Sequence, residues 1–156
     1  MNAPARPDIT RQVTRGAARL LRAHGYSVVL EMTFATGRRG DLVCIGRDGE
    51  IHVIEVKSGP ADFHADLKWQ DYLEYCDRFS FAVSPDFPLE LLPGEPGLII
   101  ADNYGGEFLR AASRYPLAAA RRKAVTISLA RLAADRLHGL NEAAAGLFLS
   151  APPSAI

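Results

Sequence analysis

Apolar residues follow two different periods along the chain. Between residues 10 and 25 they recur every three or four positions, which predicts an amphipathic helix that Thr10 caps and Gly25 ends. From residue 116 to 138 the same period predicts a second, longer helix. A third helix is predicted over 62–77, with an apolar stripe at helical spacing. That stripe consists of Trp69, Tyr72, Leu73 and Cys76.

Short apolar runs bounded by turn residues predict strands between these helices. They cover residues 27–34, 42–45, 51–56, 79–83 and 98–101, with a further edge strand over 106–111 and a short helical turn over 89–92. Helices that alternate with strands in this way are typical of an α/β fold with a mixed sheet. We therefore expect an α/β domain with helices flanking the sheet.

The sequence between the second and third strands predicts a tight hairpin. Arg47, Asp48 and Gly49 suit a three-residue loop in which Gly49 takes the left-handed conformation. With this loop Gly46 faces Glu50. Counting back along the strands then places Asp41 opposite Glu55 on the same face of the sheet.

Composition limits the function classes that need consideration. The chain has 156 residues, of which 48% are hydrophobic, so we expect one domain over 1–140 and a peripheral Ala- and Pro-rich tail over 141–156. Its formal net charge of zero means that any contact with DNA must come from a local patch. Cys44 and Cys76 are interpreted as buried thiols in a reducing compartment. With no apolar stretch that could span a membrane, the expected location is the cytoplasm.

Three charged residues form the strongest candidate site. Glu55 and Lys57 are two positions apart on one strand and therefore share a face, and Asp41 joins them from the neighbouring strand. Two carboxylates in this arrangement suit Mg²⁺, with Mn²⁺ as a substitute, and the Val56 carbonyl is a further oxygen ligand. Lys57 would orient the attacking water and stabilise charge in the transition state of phosphodiester hydrolysis.

A Glu-x-Lys pair by itself is also typical of an ordinary surface ion pair. The aspartate at the start of the preceding strand, the turn that sets the register and the apolar flanks favour a catalytic site, active now or formerly. A stripe of arginines on the first predicted helix leaves two interpretations open, a solvated face or a contact with the DNA backbone. The stripe consists of Arg11, Arg15, Arg19 and Arg22.

Several runs resemble those of a known nuclease superfamily. RRGDLV at 38–43 and IEVKSG at 54–59 look like motifs II and III of the PD-(D/E)XK nucleases, and KWQDY at 68–72 with YCDRF at 75–79 resembles the MmcB family of bacterial DNA repair proteins. The resemblance extends from about residue 9 to 138. It implies a restriction-endonuclease-like sheet of four or five strands flanked by helices, and a DNA repair protein that is a presumed Mg²⁺-dependent endonuclease.

The resemblance also implies roles for residues outside the carboxylate cluster. Gln70, a candidate catalytic residue, and Lys68 lie where related nucleases place polar residues near metal-bound water or the scissile phosphate, with an ordinary solvent-facing helix position as the alternative for both. Gln12 stands where resolvase-like members carry a metal-binding glutamate. Glu31 is the candidate to replace it, with an edge or solvent-facing glutamate as the alternative. The candidate DNA contacts are Arg11, Arg15, Arg19, Arg38, Arg39 and Lys68.

The expected partners are DNA, other repair proteins and a second copy of the chain in a homodimer. We expect Trp69 and Tyr72 to belong to the core. The alternative function is a catalytically inactive module of the same fold that binds DNA or repair partners. A third and less favoured interpretation is a structural domain in which the charged cluster is only a surface ion pair.

Overall fold

The computed structural model describes residues 5–65 and 68–149, and only the backbone of residues 64–65 and 147–149. It has a six-stranded mixed sheet flanked by helices, with the strands arranged in chain order from β1 to β6. The strands are β1 (Ser27–Thr33), β2 (Arg39–Ile45), β3 (Ile51–Lys57), β4 (Arg78–Val83), β5 (Gly97–Ala101) and β6 (Gly106–Arg110). The expectation of four or five strands is therefore wrong, because the edge strand β6 also pairs with β5, with one register shift between Leu98 and Ile99.

The middle of the sheet is parallel and its two margins are antiparallel. β3, β4 and β5 run parallel, whereas β1–β2, β2–β3 and β5–β6 are antiparallel pairs. Every residue of β3 is buried, as expected for a strand that is covered on both faces. Its residues include four Ile or Val side chains, and full burial makes the charged Glu55 and Lys57 of that strand exceptional.

Helix α1 (Arg6–Ala23) covers one face of the sheet. Its apolar stripe, which includes Ala17 and Leu21, packs on Leu42, Ile54 and Ile99. The helix begins before the predicted start, with a proline in its first turn, so Thr10 is not its N-cap. The Thr10 hydroxyl instead donates to the Arg6 carbonyl within the helix.

Aromatic residues dominate the core on the other face. Trp69 and Tyr72 both stack on Phe79, with ring centroids 5.5 Å apart in each pair, which confirms that both residues belong to the core. The predicted continuous helix over 62–77 is wrong. The segment contains a short helix α2 (Pro60–Ala65) and a separate 3₁₀ helix (Trp69–Glu74). Cys44 and Cys76 are both buried free thiols.

Helix α3 (Ala119–Leu149) closes this second face through Val125 and Leu129. It runs well past the predicted end at residue 138, into the segment interpreted as a tail. Arg136 anchors it at the edge of the sheet by donating hydrogen bonds to the carbonyls of Leu30 and Glu31. Among the helices of the described ranges, none is long and apolar enough to cross a membrane.

The hairpin between β2 and β3 matches its prediction. Gly49 has a φ of 83°, in the left-handed region, and the Gly46 N–H donates to the Glu50 carbonyl at 2.8 Å. The paired residues from Ile45 and Ile51 to Leu42 and Ile54 have the predicted register. A loop of three residues therefore sets which residues of β2 meet the charged end of β3.

Candidate active site

The candidate site lies where β2 and β3 separate. The paired residues of the ladder end at Leu42 and Ile54, one step before Asp41 and Glu55. Beyond that point the acceptor for a β3 backbone N–H is a side chain and not a carbonyl of β2: Asp41 Oδ2 accepts the Val56 N–H at 2.7 Å. Asp41 therefore reaches the carboxyl end of β3 through the opening between the strands.

Gly40 packs closely against the core immediately before Asp41. A Cβ atom on Gly40 would lie 3.1 Å from Val43 Cγ2, 3.2 Å from Phe34 Cε2 and 3.3 Å from Val53 Cγ1. These contacts are tighter than most side chains tolerate. A Cβ at this position would require these neighbouring side chains to shift by a few tenths of an ångström, so glycine lets β2 lie close to the core immediately before Asp41.

Glu55 and Lys57 are not an exposed surface pair. They retain 8% and 3% of their accessible surface, and Lys57 Nζ lies 3.5 Å from Glu55 Oε1. A buried ion pair costs desolvation energy and is weak evidence for stabilisation. The surface ion pair that the sequence left open is therefore excluded by burial, and these two charges call for a functional explanation.

The surroundings of Asp41 disfavour its charged form. Burial raises the pKa of Asp41, and the nearby charge of Asp62 adds to that effect, whereas the Val56 N–H and the Lys57 ammonium lower it. Burial is the largest of these effects. A carboxylate with a raised pKa beside a buried lysine is the pattern expected at functional sites.

Asp62 is a neighbour that the sequence analysis missed. Its Oδ2 accepts hydrogen bonds from the Ser58 N–H at 3.1 Å and the Ser58 hydroxyl at 3.2 Å. These bonds fix the backbone immediately after Lys57. The only signal in the sequence is a serine four residues before an aspartate in a first helical turn, which is common at helix starts.

A groove of about 570 Å³ runs between α1 and the margin of β1 and β2, and Asp41 is one of its lining residues. Its other wall is the arginine stripe of α1. The stripe residues that line it are Arg11, Arg15, Arg19 and Arg22. Arg11 lies 3.5 Å from Asp8, and Arg19 donates to the Tyr104 carbonyl at 3.0 Å. These contacts give the stripe a defined position beside the Asp41 carboxylate.

Glu31 lines the same groove but has an arginine partner. Its carboxylate lies 3.6 Å from Arg39 Nη2, and its backbone has a φ of 53°, unusual for a residue other than glycine. Gln12 lies instead in a second groove of about 440 Å³ at the carboxyl ends of the parallel strands, with Ser58 and Ser84. The two residues considered for the third ligand are thus in different grooves.

The residues around the 3₁₀ helix serve mainly to hold it. Arg38 donates to Asp71 at 2.9 Å, and the Tyr72 hydroxyl donates to the Arg39 carbonyl at 2.9 Å. Lys68 and Gln70 are exposed at the start of this helix. Within the described ranges, Gln70 makes no hydrogen bond to the carboxylate cluster.

The donor set fits a Mg²⁺ ion that keeps much of its water. Asp41 and Glu55 supply carboxylate oxygens at the same strand end, and Mg²⁺ is commonly held by one or two carboxylates together with substrate phosphate. Across residues 5–65 and 68–149, no three His, Cys, Asp or Glu side chains cluster around a metal position. A closed site made by protein ligands alone is therefore not present in these ranges.

A second buried charge cluster, also missed from the sequence, lies at the opposite end of β3. Glu50 accepts hydrogen bonds from the Tyr26 hydroxyl at 2.6 Å and from Arg78 Nε and Arg114 Nε at 2.9 Å. Beside it, Asp77 accepts the Ile51 N–H at 2.8 Å and two bonds of 2.6 Å from Arg122. Through these hydrogen bonds Glu50 and Asp77 connect β3, β4 and α3.

Comparisons with known proteins identify the chain's relatives. The SPO1766 protein of unknown function from Silicibacter pomeroyi is 46% identical, with a TM-score of 0.84 over 94% of this chain and 97% of that one. No curated protein is significantly similar. A family model described as DNA repair protein MmcB-like matches residues 3–144. The chain therefore belongs to the MmcB-like family of DNA repair proteins.

Proposed function

We propose that this protein is a Mg²⁺-dependent endonuclease of the PD-(D/E)XK type that hydrolyses phosphodiester bonds at structured or damaged DNA. One observation carries the proposal. A half-buried aspartate with a raised pKa reaches the end of the strand that carries a buried Glu-x-Lys, and it lines a groove with an arginine wall. The family's place in DNA repair agrees with DNA as the substrate.

Each residue of the cluster has a separate task in this mechanism. Asp41 and Glu55 would hold the ion, with the Val56 carbonyl as a further oxygen and Mn²⁺ as a substitute metal. When bound, the metal supplies Lewis-acid activation of a water molecule and of the phosphate. The Val56 N–H holds one oxygen of Asp41 in place, which leaves the other oxygen for the ion.

Lys57 supplies the positive charge that the reaction needs. Its ammonium is buried at the strand end, where electrostatic interactions are stronger than in water. In the proposed mechanism it orients the attacking water and stabilises negative charge that develops on the phosphate oxygens. Glu55 holds the ammonium 3.5 Å from one carboxylate oxygen and so restricts its position.

The arginine groove is the proposed track for the DNA backbone. Successive stripe arginines are one helical turn apart, so their side chains form a continuous positive wall beside Asp41. Arg38, Arg39 and Lys68 extend the proposed contact surface. Arg38 and Arg39 already have acidic partners in Asp71 and Glu31, which DNA phosphates would have to displace. We therefore assign the main contribution to α1.

A second candidate function is a DNA-binding module of the same fold that does not cleave. Gln12 where resolvase-like relatives carry a glutamate, and the absence of a three-residue ligand cluster in the described ranges, favour it. In this case the arginine groove would bind DNA while the carboxylate cluster has no turnover.

The two functions separate in a cleavage assay. The purified chain is incubated with single-stranded, forked and four-way DNA in the presence of Mg²⁺ or Mn²⁺, beside Asp41→Asn and Lys57→Met. Cleavage by the wild type that both variants lose supports the endonuclease. Salt-sensitive binding without cleavage supports the module, and absence of both binding and cleavage contradicts both functions.

Asp71→Asn is the matched control for this assay. It removes a carboxylate that pairs with Arg38 on the protein surface, outside the buried cluster. We expect it to cleave as the wild type does. If Asp71→Asn and Asp41→Asn lost cleavage activity equally, cleavage would not depend specifically on the proposed cluster.

A further inference from the structure

The distal half of α3 carries an apolar face that the rest of the described chain leaves uncovered. The helix packs on the sheet through Val125 and Leu129, and its last anchor is Arg136 at the edge of β1. From residue 133 to 146 every side chain is exposed. The backbone nevertheless remains helical to Leu149, about 20 Å beyond Arg136.

The exposed apolar residues lie on a stripe separate from the one that packs on the sheet. They recur alternately every three and four positions, the period of a two-helix coiled-coil seam. The apolar residues of the stripe are Ile127, Ala130, Ala134, Leu137 and Ala144, and the polar Asn141 lies in line with them. Ile127 and Leu137 are 50% and 59% exposed, and the adjacent Leu140 is 69% exposed. A helix that leaves such residues in water is typical of one that packs against another helix.

We propose that this face binds the same face of a second copy, so that two α3 helices pack antiparallel in a homodimer. A two-fold axis near Arg136 and Leu137 places large residues opposite small ones. Ala134 faces Leu137 of the other copy, and Ala133 faces Leu140. The contact is isologous, as expected for a two-fold dimer, so one sequence supplies both complementary surfaces.

Charge on the flank of the stripe favours the antiparallel arrangement. About the same axis, Arg131 lies opposite Glu142 of the other copy, and Asp135 lies opposite His138. A parallel pair would instead place Arg131 beside Arg131 and Glu142 beside Glu142. Like charges across a helix seam oppose pairing, whereas opposite charges set partner and orientation.

The dimer does not depend on the proposed nuclease. The residues of the seam are on α3, which packs on the face of the sheet opposite α1 and its arginine groove. A catalytically inactive chain would dimerise equally well. If the nuclease proposal also holds, each dimer carries two sites related by the two-fold axis.

Sedimentation equilibrium of the full chain tests the dimer. We expect the wild type to be dimeric at micromolar concentration, and the double variant Leu137→Glu with Leu140→Glu to raise the dissociation constant by about a hundredfold or more. Leu109→Glu, at a β6 position that is 53% exposed, is the matched control and leaves the dimer intact. A monomeric wild type, or a double variant that dimerises normally, overturns the proposal.

A charge exchange tests the orientation. Arg131→Glu places two acidic residues together and should weaken the dimer by about tenfold. Adding Glu142→Arg to the same chain restores opposite charges in the antiparallel pair, so affinity should return to near the wild-type value. A doubly exchanged chain that stays as weak as Arg131→Glu contradicts the antiparallel arrangement. Circular dichroism of each variant checks that the helix is retained.

Discussion

Carboxylates are buried at both ends of β3, but the groups that surround them differ between the two ends. At the amino end, Glu50 and Asp77 are surrounded by arginines and backbone N–H groups. At the carboxyl end, Asp41 and Glu55 have one buried lysine close to them. The first arrangement matches each negative charge with several donors. At the second, burial outweighs the effect of the Val56 N–H and the Lys57 ammonium on Asp41, which also lines a groove.

The pKa values express this difference directly. Burial alone would raise the pKa of Asp77, but hydrogen bonds from Arg122 and the Ile51 and Leu117 amides outweigh it and lower the pKa to about 2. For Asp41 burial prevails and raises the pKa. A carboxylate whose charge is stabilised by the fold contributes to stability, and one whose charge is destabilised is available for a ligand.

Asp41→Asn should have the largest effect, on cleavage and not on stability. The amide oxygen can still accept the Val56 N–H, but the charge that holds the metal is lost. We expect cleavage to fall by about a thousandfold, or about 4 kcal/mol of activation free energy, with the free energy of unfolding unchanged or slightly raised. Single-turnover cleavage and urea unfolding measure the two quantities. A marked loss of stability would mean that Asp41 is structural.

Asp77→Asn should give the reverse pattern. Removing this charge leaves Arg122 without its bidentate carboxylate partner, and the free energy of unfolding should fall by about 3 kcal/mol. Cleavage per folded molecule should stay near the wild-type value. Urea unfolding followed by circular dichroism measures the loss. A variant as stable as the wild type would show that the amino-end cluster does not hold the fold.

His52 should make stability depend on pH at the amino end. Burial lowers its pKa from 6.5 to about 4, so it stays neutral in the folded state while the unfolded chain takes up a proton below pH 6.5. Its contribution is complete above pH 6.5 and falls by about 1.4 kcal/mol per pH unit below it, or about 2 kcal/mol by pH 5.

Urea unfolding of the wild type and His52→Gln across this range isolates the histidine. Glu50 and Arg78 lie near His52 and act on its pKa in opposite directions, but both remain in the variant. The stability of the wild type relative to the variant should therefore fall by about 2 kcal/mol as pH falls from 6.5 to 5. A constant difference would mean that His52 takes up its proton equally in both states.

Arg15→Ala should have the smallest effect and only on DNA. Arg15 lines the groove beside Asp41 on an exposed helix face, so its loss should weaken binding by about 1 kcal/mol and lower the salt dependence by about one unit of slope. Fluorescence anisotropy over a salt series measures both. Arg47→Ala, at an exposed position in the β2–β3 hairpin away from the groove, is the matched control. Equal weakening by both variants would place the DNA elsewhere.

The hairpin and the main strands could be predicted because local chemistry determines them. The last position of the loop requires a left-handed conformation, which Gly49 adopts. The three-residue loop then fixes the register of β2 and β3 as predicted. The family and the burial of Trp69 and Tyr72 were also predictable, since the motifs and apolar spacing are continuous in the sequence.

Long-range contacts explain what the sequence analysis missed. The amino-end cluster depends on Arg78, Arg114 and Arg122, which are distant from Glu50 in the chain and have no pattern of their own. The helix predicted over 62–77 failed because Tyr72 and Trp69 pack on the sheet from a 3₁₀ helix, so tertiary contacts override helical spacing. The end of α3 was misplaced because apolar spacing in an exposed Ala-rich helix gives no stop signal.

Titration calorimetry of Mn²⁺ with the wild type, Asp41→Asn and Asp77→Asn tests most directly whether the carboxyl end of β3 is the functional end. We predict that the wild type binds Mn²⁺, that folded Asp77→Asn binds it with similar affinity, and that Asp41→Asn loses the binding. Binding that survives Asp41→Asn, or that Asp77→Asn abolishes while the chain remains folded, would contradict the account.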